Sequence, residues 1–223
     1  MDEYLSEREQ LERLTTWLRA NIPWILIGLA VGGAIVGGWR WWQSRTENNG
    51  IAAAQAYSRI LDAFDRGDRT RGMDLVGQMS QAHPGSPYVD QADLAAARLL
   101  LETGQIERAS SYLTAVMEHS RDPQLAMVAR LRLARVQVAQ NHPDAALQTL
   151  GTADQGAFDG RFAEVRGDAY FAKGDKVAAL REYRAARVAL GPAQASNDLL
   201  DLKINDLAGA ATSAPAAATA KGT

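Results

Sequence analysis

The sequence predicts an all-α protein in which one apolar helix precedes a right-handed α-solenoid of about four helix hairpins. Three observations carry that class. Twenty consecutive uncharged residues, 20–39, lie between Arg19 and Arg40. After them, helical periodicity is interrupted by turns centred on Gly67, Gly104, Asn141 and Gly174, spaced by 37, 37 and 33 residues, the period of stacked hairpins. Alternating runs of Val, Ile and Thr bounded by turn pairs are absent, so no strand pattern competes.

The apolar stretch comes first. At 1.5 Å per residue, twenty residues reach roughly the 30 Å of a bilayer's hydrocarbon core, and a transmembrane helix is expected over 21–42. All five tryptophans, Trp17, Trp24, Trp39, Trp41 and Trp42, fall in or beside it, as indole rings do at headgroup boundaries. Pro23 sits in its first turn, where a missing N–H costs little. A cleavable signal peptide competes, with Ala30-Val31-Gly32 as a small-x-small site. The 19 residues ahead of the stretch carry five acidic and three basic side chains, unlike a short basic leader, so a retained anchor is expected. Arg8, Arg13 and Arg19 precede the stretch and Arg40 and Arg45 follow it, leaning towards a cytosolic N-terminus.

Gly28 and Gly32, and Gly33 and Gly37, are pairs four residues apart that would let a partner helix approach closely in the membrane. Residues 1–20 read as a cytosolic amphipathic segment, with Leu11, Leu14, Trp17 and Leu18 at helical spacing and a Ser6/Glu9 capping pair. Its role is to stabilise the membrane segment or to dock on a partner.

The repeats occupy 43–208. In GDAYFAKGDKVAALREYRAA, Gly167 lies seven residues before the turn at Gly174 and Tyr170 four before it. Ala179, Tyr183 and Ala186 follow at five, nine and twelve. Small residues at such offsets permit close helix crossing while aromatics fill the space beside them. The same offsets yield Ala97, Leu100, Ala109, Leu113 and Val116 around Gly104, and Ala134, Ala146, Leu150 and Ala153 around Asn141. Around Gly67 the match is weaker, because Gly72 replaces the alanine, and Pro84 stands where a terminating proline is expected. These spacings resemble the tetratricopeptide pattern, although no repeat has that pattern's tryptophan and Gln137 fills an aromatic slot. A last helix in QASNDLLDLKINDL is expected to cap the stack through Leu199, Leu202 and Leu207. The Ala/Thr-rich segment 209–223 reads as a disordered tail.

With 24 Lys+Arg against 26 Asp+Glu, no cationic patch suits nucleic acid. The chain has no cysteine, which removes disulfides, thiolate zinc sites and cysteine nucleophiles. His83, His119 and His142 are scattered, and two of them precede prolines; they read as helix-end residues. No phosphate loop or nucleophile elbow is present, and Arg66-Gly67-Asp68 falls on an interhelical turn. No catalytic residue, metal, cofactor or small-molecule substrate is expected. The chain reads as a binder of protein segments. Stepping back from each turn names a concave lining of Tyr57, Leu61 and Phe64, then Leu94, Arg98 and Leu101, then Leu131, Arg135 and Val138, then Glu164, Asp168 and Phe171.

The order of DEYLSEREQLERLTTWLRANIPW, one apolar span, WRWWQ, ARLRLARVQVAQNHPDAALQTL and GDAYFAKGDKVAALREYRAA resembles the YfgM family of bacterial inner-membrane proteins, from Asp2 to about Ala208. The resemblance implies a single-pass type II protein with a cytosolic N-terminus and periplasmic repeats. It further implies an ancillary subunit of the SecYEG translocon that works with the periplasmic chaperone PpiD on client polypeptides. The residues alone leave two other roles open, an envelope-complex assembly scaffold and a membrane-held regulator that sequesters a cytosolic response factor.

Overall fold

The computed structural model describes residues 7–152, 156–194 and 198–212, and every regular element among them is helical. Nine α-helices follow one another among the described residues: α1 (Glu7–Asp65), α2 (Arg69–Ala82), α3 (Pro87–Glu102), α4 (Ile106–His119), α5 (Pro123–Ala139), α6 (Pro143–Leu150), α7 (Asp159–Ala172), α8 (Lys176–Gln194) and α9 (Asp198–Thr212), with a 3₁₀ turn at Gly156–Phe158. Met1–Ala52 and Ala53–Thr223 form two compact units.

In the first unit, α1 carries the uncharged stretch. The large apolar side chains described there are exposed, from Ile22 at 40% to Leu29 at 73%. Asn21 donates its amide to the Trp17 carbonyl at 2.8 Å, which removes one polar group from the stretch. A Cβ added to Gly28, Gly32, Gly33 or Gly37 would meet no atom within 4 Å. Among the described residues no helix is long and apolar enough to cross a membrane. The span expected over 21–42 is therefore not met by the described structure. The side chains of Pro23, Ile25, Trp41 and Trp42, on which much of that expectation rests, lie outside the described residues, as do those of Leu11 and Leu18 and all of 1–6.

The second unit is built from four hairpins closed in the same way. Each turn centres on one left-handed residue, Gly67 (φ 78°), Gly104 (φ 75°), Asn141 (φ 60°) or Gly174 (φ 80°). Glycine adopts this conformation without a Cβ penalty, and Asn is the side chain that tolerates it best. Two backbone bonds seal every turn. Gly67 N–H reaches Phe64 O at 2.9 Å and Asp68 N–H reaches Ala63 O at 2.9 Å; Gly174 to Phe171 and Asp175 to Tyr170 repeat the pair at 2.9 and 3.0 Å. This is the Schellman closure, which satisfies carbonyls orphaned at a helix end. The residue after the turn then starts the next helix. Asp68 and Asp175 accept N–H groups of Arg71 (3.2 Å) and Ala178 (2.9 Å), whereas Gln105 and His142 make no side-chain cap. Between hairpins, Ser86 and Asp122 cap helices whose first residues are Pro87 and Pro123. The three histidines do lie at helix ends: His83 is the C-cap of α2, His119 the last residue of α4 and His142 the N-cap of α6.

Such short links press the two helices of a hairpin together, and the sequence answers with small residues. Ala109, Ala146 and Ala179, each five residues past its turn, are 0% exposed. In the fourth hairpin Gly167 of α7 faces Tyr183 of α8; a Cβ there would lie 2.5 Å from ring carbons of Tyr183, and one on Gly160 would lie 2.6 Å from Leu190 Cγ. The first hairpin reverses the arrangement, since Gly72 on α2 leaves room for the Phe64 ring of α1. Gly72 is thus a fitted position where the repeat pattern alone had suggested degeneracy. Ala153, expected in the third hairpin, lies outside the described residues.

The core is strung along the stack in four clusters. One gathers Ala53, Ile60, Val76, Met79, Ala92 and Ala96 from α1 to α3, and the next joins α3, α4 and α5 around Leu100, Leu113 and Leu133. A third joins α5, α6 and α7 around Leu150 and Phe162, and the last joins α7, α8 and α9 around Tyr183, Leu200 and Ile204. Each hairpin therefore buries its apolar face on a neighbour, as in a solenoid. The capping helix differs from its expected phase. Leu200, Ile204 and Leu207 are buried, while Leu199 and Leu202 are 61% and 62% exposed. The buried set recurs at i, i+4 and i+7, and the same face brings Lys203 to carboxylates of α7. α9 also continues to Thr212, past the expected end at 208; residues 213–223 lie outside the described set.

On α3, burial and the neighbouring Asp90 charge push the Asp93 carboxyl up to about 6, from an ordinary 3.8. Asp90 itself accepts the Ser120 hydroxyl at 2.6 Å.

Two stability measurements follow. Gly167→Ala should lower stability by roughly 1 to 3 kcal/mol through overpacking against Tyr183, and Ala179→Phe by at least as much. Val177→Ala, at a position 83% exposed, should leave thermal melting by circular dichroism nearly unchanged. For Asp93, the folded state holds its proton more tightly than the unfolded chain does. The stability tied to that proton is complete below pH 3.8 and is lost as pH rises to about 6. Asp93→Asn should raise the melting temperature at neutral pH and lose that advantage in acid.

Candidate protein-binding groove

The first helices of successive hairpins, α3, α5 and α7, touch one another directly along one side of the stack. The seams between them form a chain of cavities. The first, about 290 Å³, lies between α3 and α5 and is lined by Leu94, Arg98, Leu101, Glu102 and Arg132, with Ala97 and Leu113 at its base. The second, about 300 Å³, shares Leu101 and Arg132 with it and adds Ile106, Arg135, Val136 and Ala139. The third, about 430 Å³, shares Arg135 and Ala139 and opens between α5, α7 and α9. Val138, Val165, Phe171, Ala172 and Leu207 form its apolar wall, and Asp168, Tyr183, Lys203 and Asp206 complete it. Shared residues make the three cavities one groove across the second, third and fourth hairpins.

The groove's α9 end is held by charge. Lys203 donates to Asp168 at 2.6 Å, lies 3.7 Å from Glu164 and sits 5.3 Å from the centre of the Tyr183 ring. Tyr183 donates its hydroxyl to Asp168 at 2.7 Å. Burial, that hydrogen bond and the nearby carboxylates push its ionisation far above the ordinary phenol range. Glu164, only 7% exposed, also accepts Arg161 at 3.3 Å. These are partly buried, mutually compensated charges, so removing one partner would strand another. They fix α9 as a wall of the groove.

The middle of the groove is different. Arg132 and Arg135 are exposed, one helical turn apart on α5, and neither takes part in any ion pair among the described residues. Among the described residues Arg98 pairs only with Glu102 of its own helix, at 2.8 Å in the open. Among the described residues no three His, Asp or Glu side chains stand close enough to hold a metal ion.

Of the residues expected on a concave face, Leu94, Arg98, Leu101, Arg135, Val138, Asp168 and Phe171 line the groove. Leu131 does not; it is 7% exposed inside the α5–α7 core. Glu164 is drawn into the Lys203 network. Tyr57 and Phe64 pack on the first core cluster, Tyr57 with its ring 6.0 Å from that of Tyr88, and Leu61 is half-buried. These three line none of the groove's cavities. Arg132, Val136 and Ala139 were missed although each adjoins an expected position on α5, and Ile106 was missed because it opens α4, beyond the turn. Lys203 and Asp206 were missed, and Leu207 was expected only as a cap of the stack, because α9 stands outside the repeat register and offers only a local i, i+3, i+4 pattern.

The family model described as a tetratricopeptide repeat-like domain matches residues 15–209. The chain is similar to the ancillary SecYEG translocon subunit of Escherichia coli (strain K12), 29% identical over 207 residues that cover 93% of this chain and 99% of that protein. The corresponding subunit of Haemophilus influenzae is 27% identical, over 91% of this chain and 98% of its own length. That of Neisseria gonorrhoeae is 24% identical, over 93% and 100%. Matched along nearly its whole length by both comparisons, the chain belongs to the YfgM family of tetratricopeptide repeat-like proteins.

Proposed function

We propose that this chain is an ancillary subunit of the Sec translocon, a tethered solenoid that binds protein segments and performs no chemistry of its own. The observation that carries this reading is the end-to-end likeness to ancillary SecYEG translocon subunits. The groove supports it by supplying a surface of suitable kind. Its apolar wall, with Leu101 37% and Phe171 49% exposed, suits a polypeptide segment better than a polar metabolite.

In this reading the uncharged residues 20–39 anchor the protein in the inner membrane, with the N-terminus cytosolic and the repeats periplasmic. The support is the length of the stretch and its tryptophan flanks. Gly28, Gly32, Gly33 and Gly37 then offer a membrane helix face to the translocon. The groove residues Leu94, Arg98, Leu101, Arg135, Val138 and Phe171 face a periplasmic partner of the PpiD kind and its clients. Tyr57, Phe64 and Leu131 pack in the core clusters of the stack.

Placement is directly measurable because the chain has no cysteine. Ser58→Cys, at an exposed position, should react with a membrane-impermeant thiol reagent in intact spheroplasts; reaction only after permeabilisation would put the repeats in the cytosol. Two variants should then separate the contacts. Gly28→Leu with Gly32→Leu should reduce co-purification with the translocon while leaving the repeats folded. Leu101→Ser with Phe171→Ser should spare membrane extraction and weaken the periplasmic contact, because a few apolar anchors carry most of an interface's energy.

A further inference from the structure

We infer that the groove selects apolar protein segments bearing acidic side chains, which seat their carboxylates over Arg132 and Arg135 and place an apolar anchor in the cavity between α5, α7 and α9. This assignment rests on the groove being a protein-binding surface and adds the chemistry of its occupant.

Charge complementarity points to that occupant. Among the groove's cations, Lys203 is already engaged by Asp168 and Glu164, and Arg98 by Glu102. Arg132 and Arg135 lack such partners among the described residues, line adjacent cavities and rise from one face of α5. Both share the second cavity with Leu101, Val136 and Ala139. A guanidinium held against apolar surface is less well hydrated than one in open water, and its planar fork matches a carboxylate. An incoming carboxylate would therefore gain more here than at an ordinary surface arginine. Next to these arginines, a cavity of about 430 Å³ walled by Val138, Phe171 and Leu207 is open to a large apolar side chain. At the far end Asp206 contributes a carboxylate, which disfavours an acidic residue there. The groove thus presents positive charge mid-way and negative charge beyond the apolar cavity, so the partner's acids belong on the α3 side of its anchor. Nucleic acid does not fit. Two free arginines interspersed with Glu102, Asp168 and Asp206 cannot neutralise a run of phosphates.

The test uses the purified full chain and two fluorescent peptides, one with two acidic residues followed by Leu, Phe, Ala and Leu, the other with two lysines in place of the acids. Fluorescence anisotropy should show the acidic peptide binding about tenfold tighter, a margin that falls as salt rises. Arg132→Glu with Arg135→Glu should reverse the preference, and Arg132→Gln with Arg135→Gln should abolish it. Both positions are exposed, so helical circular dichroism should stay unchanged. The glutamine pair decides the question if the glutamate pair unfolds. Equal binding of both peptides, or an unaltered preference in the glutamine variant, overturns the inference. So does displacement of the acidic peptide by inorganic phosphate at the concentration that suffices for unlabelled peptide, which would reduce the arginines to a simple anion site. If neither peptide binds, the inference falls. The protein-binding role of the groove survives that result only where Leu101→Ser with Phe171→Ser still weakens the partner contact, and falls with it where that contact is untouched.

Discussion

The repeat domain depends on the closure of each hairpin. One left-handed residue and two backbone bonds leave no slack between the helices, so α3 and α4, α5 and α6, and α7 and α8 must run back on one another at once. Helix axes usually pack 8 to 10 Å apart, with the spacing set by the side chains at the contact. Here the turn demands a close approach, which explains why Ala109, Ala146 and Ala179 are wholly buried at the same distance from their turns. The close pairing also has a cost elsewhere. Successive first helices meet less intimately than the partners of one hairpin do, and the seams left between α3, α5 and α7 are the cavities of the groove.

Within that constraint the volume at a crossing is conserved more closely than the residue that supplies it. The fourth hairpin puts the gap at Gly167 and the ring at Tyr183; the first puts the gap at Gly72 and the ring at Phe64. Interiors at crystal-like density tolerate such exchanges provided total volume is kept. A reading by fixed offsets registers the first hairpin as weak, because it compares letters at positions. Its packing shows a compensated pair. The third hairpin is the less settled case, for Gln137 occupies the slot that Leu100 and Tyr170 fill in its neighbours, and its buried Oε1 has no hydrogen-bond partner among the described residues.

These particulars explain how far the sequence could be read. Turns at Gly67, Gly104, Asn141 and Gly174 were legible because a left-handed residue leaves a chemical signature that few side chains can carry. Burial at Ala109, Leu113 and Val116 was legible because one period governs all the hairpins. The groove was legible only in part, since a step of three or six residues identifies Leu101 and Arg135 but does not say whether Leu131 faces the seam or the core. The phase of α9 was legible only at Leu207. The run DLLDLKINDL offers two apolar faces, Leu199 with Leu202, and Leu200 with Ile204, and nothing local decides between them. What favours the second is Lys203, whose partners Asp168 and Glu164 lie more than thirty residues back along the chain. A contact of that range leaves no periodic trace.

The same contact decides which charges in the groove are structural and which are available. Lys203 has a quarter of its side chain exposed and Asp168 slightly more, a setting in which a bond of 2.6 Å to a carboxylate is less screened than on an open surface. With Arg161 on Glu164, two cations offset two carboxylates, and the α9 end of the groove presents little unmet charge apart from Asp206. Arg132 and Arg135 face the same groove without that compensation. Exposure alone would not have separated them from Arg98, which is likewise exposed but has Glu102 beside it. The distinction lies in partners. A solenoid that ties down its terminal cation and leaves its central ones unmatched has fixed one wall of the groove and left the middle to be completed by whatever binds there.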